Sequence, residues 1–450
     1  MLYRKIECEL KSWLDSSKKA ILIDGARQVG KSTIVLQFLK AQNQEFVCFD
    51  LIKDKNVLDA FNTSSNADQL LLRLSALSSK PLNPGKTIIF IDEAQEAEDA
   101  ITPIKYLVKD QRYRYVVSGS LLGIKMKNVQ SIPIGYMSVV QMYPLDFEEF
   151  ALANGVNPNI ISYLQTCFET RETVDVQIHK QMLELFNLYL IIGGMPEAVQ
   201  EFVNSHNIAR VQSILADIDQ NYQMDISKYD KEEKLLIEDI YKLIPSELNA
   251  QNKRFILKEL NQNARFYQYD SSFVWLINSG VGLFTYNVDN PVYPLLASKE
   301  RTLFKLFLCD VGLLCSKLYG ETVIKILNGE TNVNFGAIYE SVVAQELTAH
   351  GFPLFYHNNK KRGEVDFLIE QEDQVVPIEV KSGKDYKRHS ALTNMLQDPS
   401  LQIEKAYILN NDNIQVQDRK IYLPVYMVMF IKKKKEREDT IYVPDLSKLR

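Results

Sequence analysis

GARQVGKS, Gly25 to Ser32, follows the apolar run AILID (Ala20–Asp24) and opens the helical pattern TIVLQFLK. It satisfies G-x-x-x-x-G-K-[ST] in the strand, loop and helix context that gives the motif its meaning. Glycines let backbone amides curl around phosphate oxygens at a helix N-terminus; Lys31 brings charge to the β- and γ-phosphates, and Ser32 offers a hydroxyl to Mg²⁺. The expected nucleotide-binding set is Gly25, Ala26, Arg27, Gln28, Val29, Gly30, Lys31, Ser32 and Thr33. Arg27 reaches phosphate or a neighbouring element, or is simply a surface arginine.

Outward from the loop, TIIFIDEAQ (Thr87 to Gln95) reads as a buried strand ending in two acids. A carboxylate at the C-terminal edge of a parallel strand points into the crevice where open α/β sheets bind ligands. Asp92 is the expected Mg²⁺ carboxylate, and Glu93 the catalytic group that orients or deprotonates a water. The next run, YRYVVSGS, ends in Ser118, Gly119 and Ser120, where a polar residue, Ser118 foremost, reads either as a γ-phosphate sensor or as part of a serine-rich turn. Runs with strand character alternate with helical patterns up to about Phe150, so residues 1–151 are expected to form an α/β domain with a parallel sheet.

From Leu152 the strand signals vanish and apolar residues recur at helical spacing, as in HKQMLELFNLYLIIGG, which predicts a helical connector over 152–229. Three helical segments (EEKLLIEDIYKLI, RFILKELNQN, YDSSFVWLINSG) and a hairpin (GLFTYNVDNPVYP, RTLFKLFLCD) suggest a winged helix-turn-helix over 230–327. The last part, 328–450, reads as α+β: a helix, FGAIYESVVAQELTAHG, then strands in GEVDFLIEQEDQVVPIEVKSG, then EKAYILN and IYLPVYMVMF.

Those C-terminal strands carry charges two positions apart. Side chains alternate along a strand, so Glu364 and Asp366 share one face, and Glu379 and Lys381 share one face of the next strand. EQEDQ is short and polar enough to close a hairpin between them. Upstream, Glu340 lies on the same side of its helix as Val343 and Leu347 and points inward. A buried acid needs a partner, for which Lys381 and a metal are the candidates.

GARQVGKST, FIDEAQ, VVSGSLL, MYPLDFEEF, IIGGMPEAV, CDVGLL, FGAIYESVVAQEL and GEVDFLI with IEVKSG, in this order, resemble a family of bacterial and archaeal AAA-type ATP-binding proteins that end in a restriction-endonuclease-like domain. The resemblance implies ATP and Mg²⁺ as cofactors, with Ser32 and Asp92 at the nucleotide's metal. It also implies a PD-(D/E)XK core in which Glu340, Asp366 and Glu379 bind Mg²⁺, while Lys381 stabilises phosphate charge or helps position the water. One position departs from the family pattern. Tyr136, in SIPIGYMSVV, stands where members carry a basic residue, which leaves the arginine finger unassigned. The implied function is an ATPase that controls a nuclease-like, DNA-binding domain; the alternative is an ATP switch whose degenerate nuclease-like domain is a protein-interaction scaffold. AAA-type proteins often form rings, so a homo-oligomer is a further expectation.

Composition bounds these readings. The chain has 450 residues, 46% hydrophobic and 24% charged, which is enough for several globular cores. A net charge of −5 argues against coating nucleic acid through overall charge, although Lys360, Lys361 and Arg362, then Lys384, Lys387, Arg388 and His389, bracket the acid strands. Five scattered cysteines without a CxxC pair suggest reduced thiols, and no apolar run is long enough for a membrane span, so the expectation is a soluble cytoplasmic protein.

Overall fold

The computed structural model describes residues 2–97, 101–119, 135–226, 231–250, 252–260, 262, 265–323, 335–383, 387 and 389–433. The first part runs α1 (Ile6–Ser16), β1 (Ala20–Asp24), α2 (Lys31–Ala41), β2 (Phe46–Asp50), α3 (Lys55–Thr63), α4 (Ala67–Leu77), β3 (Ile88–Asp92), α5 (Ile101–Asp110), β4 (Arg114–Gly119) and β5 (Met137–Gln141). Its five strands pair in the order β2-β3-β4-β1-β5, all in parallel. Both β1 and β3 are buried along their whole length. That burial is why AILID and IIFID read as unbroken apolar runs rather than alternating ones. In register, Asp24 pairs with Gly119 and Gln141, and Asp50 with Asp92, so the strand ends share one edge and the phosphate loop leaves from it.

A helical block follows: α6 (Phe147–Ala153), α7 (Pro158–Thr170), α8 (Val176–Ile192), α9 (Pro196–Ser205) and α10 (Ile208–Ile226). Asp146 starts α6 with a capping box, its side chain accepting from Glu149 N while Glu149 reaches back. Next come α11 (Lys231–Asn249), α12 (Leu257–Leu260), α13 (Phe266–Asn278), β6 (Gly282–Val288), β7 (Lys299–Leu308) and α14 (Val311–Tyr319). The C-terminal elements are α15 (Gly336–Ala349), β8 (Phe355–Asn359), β9 (Gly363–Gln371), β10 (Gln374–Val380), α16 (Ser390–Gln397), β11 (Ala406–Asn410), β12 (Gln415–Gln417) and β13 (Lys420–Pro424).

Three helices do precede the β6–β7 hairpin, but that hairpin does not end a separate unit. β6 pairs in parallel with β8, so one eight-stranded sheet, β12-β13-β11-β10-β9-β8-β6-β7, runs across the division expected at residue 328. The hairpin expected at EQEDQ forms with Gln371 opposite Gln374, and its two turn residues, Glu372 and Asp373, both have positive φ. This is the backbone pair that matches the twist of two-residue hairpins. The expected strand IYLPVYMVMF is shorter than its apolar run: β13 stops at Pro424, and Val425–Phe430 winds as a 3-10 turn. Proline supplies no N–H to continue a ladder.

One apolar core runs from Ile21, Ile23 and Phe90 through Phe186, Tyr189 and Leu215 to Val343 and Phe367. It joins a face of the first sheet, the connector helices and a face of the second sheet. Separate cores cover the opposite faces, around Ile89 and Leu107 in the first sheet and around Leu368 and Met395 in the second. The five cysteines are all free. No helix among the described residues is long and apolar enough to cross a membrane.

Candidate functional site

The phosphate loop takes its shape from two close approaches. Gly30 caps α2 with φ +91°, and at Gly25 a Cβ would lie 2.1 Å from the Met142 carbonyl oxygen. Lys31 is the first residue of α2 and is buried, its ammonium donating to the carbonyls of Gly25 (2.9 Å) and Ala26 (2.8 Å). Burial lowers its pKa, against the opposing pull of Glu93 and Asp24. Ser32 Oγ donates to Asp92 Oδ1 at 2.8 Å. The loop hydroxyl and the strand-end carboxylate therefore meet, two hard oxygen groups suited to Mg²⁺.

Ser118 is fully buried and its hydroxyl donates to the same Asp92 oxygen while accepting from the Glu93 amide at 3.3 Å. It braces the acid pair from behind rather than facing the cavity. Glu93 has φ +57°, a left-handed backbone in a residue with a Cβ, and Gln95 Nε2 donates to its carboxylate. A Cβ on Gly119 would lie 2.6 Å from Gln95 Oε1, which explains a small residue in VVSGS. Ser120, next along, lies outside the described residues.

A cavity of about 530 Å³ opens above the loop, bounded by Arg27, Gln28, Gly30, Lys31, Ser32 and Thr33 on one side and by Glu93 at its floor. Ala26 and Val29 face the core instead. The opposite wall is Pro196, Glu197 and Gln200 of α9, with Leu2, Arg4 and Met142. Sequence reading assigned none of these wall residues. IIGGMPEAV was visible as a motif, yet nothing local says that it would close over a loop some 165 positions earlier. Arg4 is also buried, donating to the carbonyls of Val29 (3.1 Å) and Tyr143 (2.6 Å) and to Glu149. It ties the N-terminus to the loop and to the MYPLDFEEF segment.

Arg27 borders the cavity and also reaches a neighbouring element. Its guanidinium pairs with Asp225 of α10 at 2.6 Å, and its carbonyl accepts from the Tyr222 hydroxyl at 3.0 Å. Tyr136, at the position of the missing basic residue, has the Lys109 ammonium 5.4 Å from its ring centre.

The remaining motifs join domains. Asp310 caps α14 by accepting from Leu313 N and takes the Gly194 amide at 2.6 Å; a Cβ on Gly312 would lie 2.5 Å from the Ile192 carbonyl. Thus IIGGMPEAV and CDVGLL fit against each other through their glycines. On α15, Gln345 accepts from Val311 N and donates to Tyr189, and Glu346 accepts from Phe147 N at 2.8 Å. Gln345 thus points into that seam.

The C-terminal acids do gather, but around lysines. Glu340 has one oxygen on Lys253 and the other 3.2 Å from Lys305, which also lies 2.6 Å from Glu364. Asp366 accepts from Val380 N at 2.8 Å, and Lys381 pairs with Glu379 at 2.6 Å. Burial, then Glu340 and Glu379, hold the Asp366 pKa well above the usual carboxylate range; burial also raises Glu379, against Lys381. Among the described residues no group of three or more His, Cys, Asp or Glu is placed to hold a metal ion. The donor set expected for Mg²⁺, Glu340, Asp366 and Glu379, does not fit a divalent cation in this arrangement. Of the bracketing basic residues, His389 is buried against Tyr422, Arg362 pairs with Asp398, and Lys384 and Arg388 lie outside the described residues.

Residues 17–151 match a family model described as an AAA domain, the part of the chain that carries the parallel sheet and the Gly25–Ser32 loop. Residues 183–322 and 335–428 match two models described as domains of unknown function, DUF8612 and DUF4143. Among solved structures, the Walker-type ATPase PABY2304 of Pyrococcus abyssi is similar at 13% identity with a TM-score of 0.43, covering 71% of this chain and 96% of that one. The Aeropyrum pernix ORC1 protein in complex with DNA is similar at 13% identity with a TM-score of 0.28, covering 73% and 94%. The Thermotoga maritima RuvB Holliday junction branch migration motor is similar at 12% identity with a TM-score of 0.29, covering 62% and 89%. No curated protein matches the sequence.

Proposed function

We propose that the chain binds and hydrolyses ATP at the Gly25–Ser32 loop and passes the nucleotide state through α10 to the C-terminal sheet. The observation that carries this reading is the meeting of Ser32 and Asp92 at 2.8 Å beneath a cavity that also takes in Lys31 and Glu93. Ser32 and Asp92 would hold Mg²⁺, which when bound offsets charge on the phosphates. Lys31 exchanges its two loop carbonyls for phosphate oxygens. Glu93, fixed in orientation by Gln95 and by its own backbone, orients the attacking water. Because α10 holds the loop at both Arg27 groups, any shift of the loop on binding is felt by that helix. The same helix meets α14 and α11 through Asp219, which accepts from Lys317 (2.7 Å) and Tyr241 (2.5 Å).

In this reading the C-terminal part is a nuclease-like scaffold that binds a macromolecular partner, because both oxygens of Glu340 are engaged by lysines. The test compares ATP binding and turnover in the wild type, Lys31→Ala and Glu93→Gln, alongside a DNA nicking assay with Mn²⁺. Turnover that survives Lys31→Ala overturns the ATPase reading; nicking that is lost in Asp366→Ala overturns the scaffold reading.

A further inference from the structure

The cluster around Glu340 draws on distant parts of the chain: Lys253 between α11 and α12, Lys305 in β7, Glu340 on α15, Glu364 and Asp366 in β9, and Glu379 and Lys381 in β10. Lys305 is wholly buried, and its ammonium also lies 5.1 Å from the ring centre of Tyr356. A lysine is almost never taken fully out of water unless charge partners surround it. Here two carboxylates touch it directly.

Hard dications bind carboxylate oxygens at about 2.1 Å and want roughly six of them, waters included. Both oxygens of Glu340 are already held by cations, one by Lys253 and the other by Lys305. One Asp366 oxygen is spent on a backbone amide. Glu379 keeps one buried oxygen, Oε2, without a hydrogen-bond partner, but among the described residues no three of these acids are placed to share an ion. Charge agrees with geometry: the four acids Glu340, Glu364, Asp366 and Glu379 face the three lysines Lys253, Lys305 and Lys381, which leaves little formal charge over. A cation entering it would meet fixed ammonium groups and little net negative charge.

We propose that Lys305, held between Glu340 and Glu364, is the resident cation of this cluster, and that Lys253 closes it. The result is a clamp rather than a metal centre. It fastens Lys253 and the β6–β7 hairpin to α15 and to β9, and so joins parts that the chain order separates. This inference rests on no part of the ATPase reading.

Mn²⁺ binding to the nucleotide-free full-length chain tests it, counted by electron paramagnetic resonance in the wild type and in Glu340→Gln. The expected result is the same titration in both, within about twofold. A wild-type site that weakens tenfold or more in Glu340→Gln overturns the proposal. Lys253→Met supplies a second arm that does not depend on the buried lysine folding out, since Lys253 is partly exposed, its side chain 21% accessible. That variant frees a Glu340 oxygen and is expected to gain Mn²⁺ affinity, with a melting temperature that rises on adding Mn²⁺. No gain in affinity and no ion-dependent rise would count against Lys253 as the closing group.

Discussion

The hydroxyl of Tyr222 donates a hydrogen bond of 3.0 Å to the backbone carbonyl of Arg27, so a connector helix holds the phosphate loop 195 residues earlier in the chain. The Arg27 side chain meets the same helix at Asp225. A loop held by its backbone and by a side chain on one helix cannot rearrange without moving that helix or breaking those bonds.

Tyr222→Phe removes one of these bonds and keeps the ring, which packs in the core. We expect ATP affinity to fall roughly fivefold, the worth of about 1 kcal/mol for one hydrogen bond. Isothermal titration with ATP measures it. An unchanged dissociation constant separates α10 from the loop's function.

Glu93→Gln keeps the shape of the side chain and its contact with Gln95 but removes the charge that orients water. ATP binding should be retained while turnover falls on the order of 100-fold or more. Lys31→Ala should instead weaken binding itself. Steady-state hydrolysis and nucleotide titration on both variants distinguish the two effects.

Gly312→Ala places a methyl 2.5 Å from the Ile192 carbonyl oxygen, backbone that cannot swing aside. The expected cost is about 1–3 kcal/mol of overpacking. It should appear as a lower urea midpoint, and a midpoint equal to the wild type's would mean the α8–α14 contact is looser than drawn.

Glu346 supplies a pH signature. Burial, then the neighbouring Asp146, pushes its carboxyl up to about 8, while Lys5, the Phe147 amide and the Tyr189 hydroxyl pull the other way, and His350 lies 3.8 Å off. A carboxyl whose folded pKa is raised favours folding in its protonated form. That contribution is complete below the unfolded value near 4.5 and is lost as pH rises through about 8. Glu346→Gln keeps the acceptor for Phe147 and abolishes the ionisation. The variant should match the wild type near pH 4.5 and exceed it above pH 8 by an amount on the order of a few kcal/mol, read from denaturation at each pH. A constant difference across that range removes Glu346 as the titrating group.

Local order and tertiary order divided the work unevenly. Strand β1, the loop, α2 and the acid pair at the end of β3 were all readable, because glycine positions and apolar runs act on neighbours within a dozen residues. The β9–β10 hairpin was readable for the same reason, its two polar turn residues lying between alternating strands. Lys305 was not, since in RTLFKLFLCD it looks like an interruption in an apolar strand. Nothing near it announces Glu340 35 positions later or Lys253 87 positions before that acid.

What the sequence determined by itself was therefore the presence of a phosphate-binding loop, the acid pair beside it, and charged faces on two C-terminal strands, since each follows from side-chain period and backbone freedom over short spans. The tertiary structure alone decided that β6 joins the C-terminal sheet, that α9 walls the nucleotide cavity, that Tyr222 and Asp225 grip the loop, and that lysines meet the acids. Those outcomes depend on which buried charges and glycines are brought face to face by packing, and a buried charge takes whichever partner the fold delivers.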